Sequence, residues 1–264
     1  MEFLNGHFFL KFKLLQLCGL CAKLLIMKKV IGVISDVHGN LPALEAMLKK
    51  FDSIGCDSII NLGDVIGYGA FSRECLDLLL SRKDIKNVLG NHERLYLRGV
   101  ENVVVPFENK LIENHHKQIH SILGEGYKEI VAEFPFQIDE SIFGHRITFL
   151  HYARKDNRFL KQIFEPTKEQ LDEMFDYVDA EIVLFGHEHT PMSSFGNKAY
   201  VNVGSLGCNY ESKAKGVLIT ITPEEARAED VKAAYNKQVF FDAMEEKKII
   251  NREYYSKYFF GQKS

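Results

Sequence analysis

Between residues 30 and 91 the chain alternates short apolar runs with segments whose apolar residues recur every three or four positions. Val30 to Ile34 is apolar throughout and reads as a strand buried on both faces. Leu41, Leu44, Met47, Leu48 and Phe51 follow at helical spacing. Asn40 suits the cap of that helix, and Pro42 is tolerated in its first turn. Ser58 to Leu62 predicts a second strand, Ser72 to Leu80 a second helix and Ile85 to Leu89 a third strand. Such alternation predicts a sheet wound with helices.

Residues 99–134 break the pattern. Val103 to Val105 is apolar, and Glu108 to Leu123 and Tyr127 to Phe134 read as helices, the second stopped by Pro135. We take this region as an inserted helical cap. His115, His116 and His120 lie on its polar stretch and read as solvated surface, with substrate contact as the sharper alternative. Phe136 to Ile142 and Arg146 to Leu150 predict an antiparallel pair turning at Phe143-Gly144-His145. Thr167 to Tyr177 predicts a helix capped by Thr167, with Glu169 in its first turn. Glu181 to Phe185, Tyr200 to Val203 and Gly216 to Thr222 predict strands, followed by an edge strand around Val231 to Tyr235 and a helix from Phe240 to Glu246. No repeat or linker interrupts residues 27–264, so one domain with two sheets is expected.

Composition narrows the picture. The 264 residues are 46% hydrophobic and 26% charged, an ordinary globular balance. A formal net charge of -3 argues against nucleic-acid binding driven by broad electrostatics, and no stable nucleic-acid partner is expected. Cys18, Cys21, Cys56, Cys75 and Cys208 are odd in number and irregular in spacing, which points to a reducing, cytoplasmic setting. Cys18-Gly19-Leu20-Cys21 has no second pair to complete a metal or redox motif. In residues 1–26, Lys11, Lys13 and Lys23 interrupt the apolar stretches, so no membrane span is expected. Met27-Lys28-Lys29 leads straight into the first strand, and residues 1–26 are expected to be an extension outside the fold.

The candidate chemistry sits just past the ends of five predicted strands: Asp36/His38, Asp64, Asn91/His92, His151 and His187/His189. In extended backbone, residues i and i+2 share a side, so Asp36 with His38, and His187 with His189, could each face one ion. Imidazole and carboxylate together suit Mn, Fe, Zn or Co. Singly, each cluster has an ordinary explanation: Gly63-Asp64 as a turn, Asn91 as a helix cap, His151 as a satisfied core histidine. Together they fall on one predicted sheet edge, where open α/β sheets gather their ligands.

The series Asp36-x-His38, Gly63-Asp64, Gly90-Asn91-His92-Glu93, His151 and Gly186-His187-x-His189 resembles the calcineurin-like metallophosphoesterase superfamily, in order from about Met27 to Ser205. Gly63-Asp64-Val65-Ile66-Gly67-Tyr68-Gly69 resembles its small prokaryotic phosphoesterase branch. The resemblance implies an α/β fold, a four-layer α/β/β/α sandwich, around a dinuclear metal centre. It implies Asp36, His38 and His189 on one ion, Asn91, His151 and His187 on the other, and Asp64 bridging both. Two divalent ions roughly 3.5–4 Å apart lower the pKa of a shared water, whose hydroxide attacks phosphorus, and clamp the phosphoryl oxygens. Mn is the first choice, with Fe, Zn, Ni, Co or Mg as alternatives. His92, implied to be no ligand, would give a proton to the departing alkoxide. Glu93 reads as a support behind the ligands or as a first-turn helix acid.

Two departures matter. The protein-phosphatase branch carries an Asp three residues after the bridging Asp, then a phosphate-gripping Arg; here Gly67 and Tyr68 stand there. Tyr152 follows His151 where Gly is frequent in the family, which would narrow the pocket. The expected function is hydrolysis of a small phosphomonoester or phosphodiester. The alternatives are a protein phosphatase, a dinucleoside polyphosphate hydrolase, or a non-catalytic protein-binding scaffold such as the retromer subunit of similar fold. Deleting residues 1–26 is expected to leave folding and any hydrolytic activity intact; an insoluble or inactive truncation would refute their placement outside the fold.

Overall fold

The first apolar run becomes strand β1 (Lys29–Ile34) and the first periodic segment becomes helix α1 (Leu41–Ile54). The computed structural model describes residues 27–99 and 110–262; the expectations for residues 1–26 and for Val103 to Val105 lie outside these. Helix α1 begins where the Asn40 side chain accepts the Ala43 N–H at 3.3 Å, the capping geometry its sequence predicts. Strands β2 (Ser58–Asn61) and β3 (Ile85–Asn87) flank helix α2 (Ser72–Ser81). A helix that periodicity did not predict, α3 (Asn91–Arg98), follows directly.

The inserted region supplies α4 (Lys110–Leu123) and α5 (Lys128–Ala132). Strands β4 (Gln137–Ile142) and β5 (His145–Leu150) form the predicted hairpin, with Phe143 and Gly144 both at positive φ, as a two-residue turn matched to strand twist requires. A short ribbon, β6 (Arg154–Lys155) with β7 (Arg158–Phe159), precedes helix α6 (Lys168–Met174). Thr167 caps α6 by accepting the Gln170 N–H. Strands β8 (Ile182–Phe185), β9 (Met192–Phe195), β10 (Ala199–Asn202), β11 (Lys213–Ile221) and β12 (Ala226–Ala234) lead to helices α7 (Lys237–Glu246) and α8 (Arg252–Tyr258).

Two five-stranded sheets result, ordered β12-β11-β1-β2-β3 and β4-β5-β8-β10-β9. In the first, β1, β2 and β3 run parallel; in the second, β5, β8 and β10 do. The alternation of each strand then fixes the layers. Ile31 and Val33 of β1 meet Ile147, Phe149, Ile182, Leu184 and Val201 from the other sheet in one buried cluster. The outer face of the first sheet packs on α1 and α2, and that of the second packs Val183, Phe185 and Tyr200 on Leu171, Met174 and Phe175. This is the expected four-layer α/β/β/α sandwich. Ile119, Leu123 and Val131 join the same cluster as α1 and α2, so the helical insertion extends that outer layer. No described helix is long and apolar enough to cross a membrane.

The ring of Phe51 lies flat against β1, where a Cβ on Gly32 would come within 2.6 Å of it. The Phe51→Ala variant is expected to lose about 3–5 kcal/mol, read as a lower urea midpoint at constant slope. A loss under about 1 kcal/mol would contradict this packing.

Candidate metal centre

The parallel strands of both sheets end on one edge, and the chain leaves them by turns rather than by extension. Asp36, His38, Asp64, His187 and His189 all hold positive φ, between 48° and 72°. This corrects the sequence expectation: i and i+2 do not meet through extended backbone. Each pair brackets one intervening residue in a loop, and non-glycine residues in this region cost about 1–3 kcal/mol each. The strain is held by bonds that continue the β1–β2 pairing past the strand ends. Asp36 N–H donates to Gly63 O at 3.0 Å, His38 N–H to Asp64 O at 2.9 Å and Gly39 N–H to Val65 O at 2.8 Å.

Both aspartates use one oxygen on the backbone and turn the other inward. Asp36 Oδ2 accepts the His187 N–H at 2.9 Å, and its buried Oδ1 has no hydrogen-bond partner. Asp64 Oδ1 accepts the His92 N–H at 2.8 Å. Two imidazoles are turned the same way by main-chain carbonyls: His38 Nδ1 faces Ile66 O at 3.3 Å and His151 Nδ1 faces Leu62 O at 3.0 Å. Both Nε2 atoms therefore point into the cluster, as supports behind metal ligands commonly arrange.

The inward atoms form two groups. In the first, His38 Nε2 lies 3.0 Å from His189 Nε2, and Asp36 Oδ1 lies 3.6 and 3.3 Å from them. In the second, Asn91 Oδ1 lies 2.8 Å from both His151 Nε2 and His187 Nδ1, which are 3.3 Å apart. Asp64 Oδ2 stands between, 3.9 Å from His38 Nε2 and 3.4 Å from His151 Nε2. Bonds of about 2.0–2.2 Å to a shared ion would set neighbouring ligands roughly 3.0–3.5 Å apart, so both groups fit a divalent cation. His187 and His189 thus serve different groups. His92 Nε2 is 4.0 Å from Asp64 Oδ2 and stands beside both. All eight residues singled out in the sequence converge here.

Glu93 completes the frame from behind. Its carboxylate accepts the N–H groups of Asp64 and Val65 at 2.8 Å, and of Ile66 and Gly90 at 3.1 Å. It is both the helix acid and the support that its position suggested. A Cβ on Gly90 would lie 2.2 Å from Asp64 Oδ1, so only glycine lets α3 start this close. Tyr152, expected to narrow the pocket, is instead buried in the core behind the second sheet and does not line the described cleft; its hydroxyl donates to Glu188 Oε1 at 2.9 Å and its ring lies 4.6 Å from His187.

Burial governs the electrostatics. It pushes Asp64 well above the usual carboxylate range, helped by Glu93 and Asp36, and raises Glu93. Burial opposes ionisation of Asp36 too, but His189 and His38 outweigh it and hold Asp36 low. Burial presses His38 down to about 4 and His187 to about 3. Neutral imidazoles with free lone pairs beside carboxylates are what metal binding requires. The Cys208 thiol is within 4.8 Å of His38 and His189, but burial raises its pKa far from the thiolate form.

The structure overturns the solvated reading of the α4 histidines. His115 is 1% and His116 4% exposed; His120 alone of the three reaches water, pairing with Glu125 at 3.2 Å. The cleft over the donors, about 310 Å³, is also lined by Tyr68, Gln162, Phe164, Glu188 and Phe259. None of these was singled out as a cleft residue. Phe259 follows the unpredicted α8; Glu188, between two histidines, and Tyr68, in the motif after Asp64, carried a sequence signal.

With this geometry in place, comparison identifies the class: a sequence model of the calcineurin-like phosphoesterase superfamily domain matches residues 29–224, and the chain belongs to that family. An uncharacterized protein of Methanocaldococcus jannaschii is 28% identical over 244 residues, 81% of this chain and 93% of that one. A hypothetical protein of Pyrococcus horikoshii shares the fold at a TM-score of 0.74 and 20% identity, covering 89% of this chain and 99% of the other. A metallophosphoesterase of Sphaerobacter thermophilus does so at 0.66 and 20%, covering 84% and 95%.

The buried histidines give the metal-free protein a pH signature. Unfolding returns His38, His187, His115 and His116 from about 3–4 to their ordinary 6.5. The unfolded chain therefore binds more protons below 6.5, and stability falls as pH drops toward 4, by up to about 1.4 kcal/mol per pH unit for each group. The raised Asp64 and Glu93 act oppositely but are outnumbered. The urea midpoint of metal-free protein is expected to be lower at pH 5 than at pH 7.5; equal midpoints would contradict neutral burial.

Proposed function

We propose that this chain is a dinuclear-metal-dependent phosphoesterase acting on a small phosphomonoester or phosphodiester, with residues 27–264 as its catalytic domain. One observation carries the reading: two three-donor groups share a single carboxylate, Asp64, with an uncommitted imidazole, His92, beside them. Asp36, His38 and His189 would hold one ion and Asn91, His151 and His187 the other, with Asp64 common to both. Mn²⁺ is the first candidate, and Fe, Zn, Ni, Co or Mg fit the same donor types. When bound, two such ions supply Lewis-acid charge to the phosphoryl oxygens and a nucleophilic water at neutral pH.

The chain's own groups do the rest. His92 aims Nε2 at the cluster and donates its proton to the leaving oxygen. Glu93 and the main-chain carbonyls hold the donors in place. Tyr68, Phe164 and Phe259 wall the cleft, and the described lining contains neither Lys nor Arg. A small ester whose charge sits on the reacting phosphoryl group suits this wall. A polyphosphate chain or a phosphoprotein would need further cations. Cys56, Cys75 and Cys208 are unpaired, which supports a reducing, cytoplasmic setting.

Purified protein with Mn²⁺ is expected to hydrolyse p-nitrophenyl phosphate or its bis ester, and chelation should abolish this. Asp64→Ala and Asn91→Ala should reduce turnover to background with loss of bound metal. His92→Ala should slow alkyl esters about 10²–10⁴-fold with metal content unchanged. Metal-loaded protein inert across a panel of mono- and diesters would reject the proposal.

A further inference from the structure

Helix α4 carries two histidines that the chemistry above does not use. In the described structure, all four ring nitrogens of His115 and His116 lack hydrogen-bond partners, and so does His92 Nδ1. Buried polar atoms left unpaired cost about 1–3 kcal/mol each, and native proteins keep few of them. Apolar rings would fill the same space more stably, so the polar rings call for a use.

Their placement suggests one. The His116 ring centroid is 5.0 Å from that of His92, with the planes tilted by 37°. An N–H···N bond of about 2.9 Å plus the two ring radii puts imidazole centroids roughly 5 Å apart. The observed separation is the one such a bond would give. His115 packs behind, 5.8 Å from His116 and 5.0 Å from Tyr255. The Gly67 carbonyl lies near enough to favour a proton on His115 without closing a bond to it.

Gly67 explains why help is needed. A Cβ on this residue, whose φ is +134°, would lie 2.9 Å from His92 Nδ1 and 2.6 Å from His38 Nδ1. No side chain can grow from Gly67 to take the Nδ1–H of His92. Tyr68 meets the His92 ring edge-on at 4.9 Å and braces it without offering a bond to Nδ1. Burial holds His116 down to about 4, which leaves it neutral with a lone pair to offer.

We propose that His116, delivered by the helical insertion, is the positioning residue for His92: it accepts the Nδ1–H of the His92 imidazolium, whose Nε2–H passes to the leaving oxygen and leaves a neutral ring still bonded through Nδ1. The proposal rests on His92 being the proton donor. It makes α4 part of the active site.

The test compares His116→Phe, His116→Gln and His92→Ala by kcat and KM on phosphodiesters whose leaving groups run from p-nitrophenol to a simple alcohol. His116→Phe keeps the ring shape and removes the acceptor. It is expected to unfold at the same or a higher temperature, keep its metal and KM, and lose about 10- to 100-fold in kcat on the alkyl ester, part of what a placed acid contributes. The loss should shrink toward p-nitrophenol, where no proton is needed. His116→Gln, which keeps an acceptor, should recover most of the rate. The His92→Ala/His116→Phe double variant should be no slower than His92→Ala alone. Equal losses for every leaving group, or additive losses in the double variant, would overturn the assignment. If the wild type hydrolyses nothing, the phosphoesterase reading fails separately. The positioning claim is then judged by ¹⁵N spectra of the imidazoles: a His92 signal unchanged in His116→Phe overturns it, and one broadened or shifted upholds it.

Discussion

The site depends on a clamp between two buried carboxylates and the backbone around them. Glu93 accepts four N–H groups, including that of Asp64, and Asp64 in turn accepts the N–H of His92. The clamp ties the turn after β2 to the first turn of α3 and leaves Asp64 Oδ2 as the one atom facing both donor groups. Charge makes it costly. Glu93 and Asp36 both act to push the proton affinity of Asp64 up, and the described cleft lining offers no Lys or Arg to offset them. Main-chain N–H groups can stabilise one carboxylate of such a set.

Backbone strain follows from the same constraint. Asp36, His38, Asp64, His187 and His189 reach the cluster only at positive φ. Five such residues cost on the order of 5 kcal/mol or more, comparable to the net stability of an ordinary domain. The fold absorbs this because the strained turns are bonded to each other and rooted in β1, β2 and β8, whose apolar residues fill the space between the two sheets. A loop without that anchorage would relax, and the inward oxygens of Asp36 and Asp64 would rotate away.

How much of this the sequence displays depends on the range of each cause. Val30 to Ile34 and Ile182 to Phe185 are legible as strands because a strand buried on both faces carries no polar side chain. The donors are legible because each lies within a few residues of a strand end. Their geometry was not: the i, i+2 rule assumes extended backbone, and turn handedness is set by bonds such as Gly69 N–H to His38 O, which periodicity does not encode. The α4 histidines were misread for a related reason. A polar helix face is taken to meet water, but Tyr68 and Tyr255 cover this one. Tyr255 arrives from α8, well over a hundred residues later in the chain. Helix α8 was missed as well, although Tyr254, Tyr255, Tyr258 and Phe259 follow one another at helical spacing.

The division of labour in the molecule matches that division in legibility. The sheet edge presents a fixed set of donors, packed from both sides and closed to variation by contacts such as Gly90 against Asp64. The walls come from segments outside that edge, the stretch holding Gln162 and Phe164, and Phe259 after α8, while the inserted α4 packs on Tyr68 and His92. Aromatic packing joins two of them through Tyr68, whose ring lies 4.5 Å from His38, 4.4 Å from Phe259 and 5.8 Å from His115. Tyr68 occupies a position where related enzymes of another branch are expected to present a cation. The exchange removes a positive charge from the cleft and replaces it with a surface on which the insertion and the chain end both rest. One residue thereby trades direct grip on an anion for the assembly of the walls, while Gly67 beside it offers His92 no side-chain partner from its own loop.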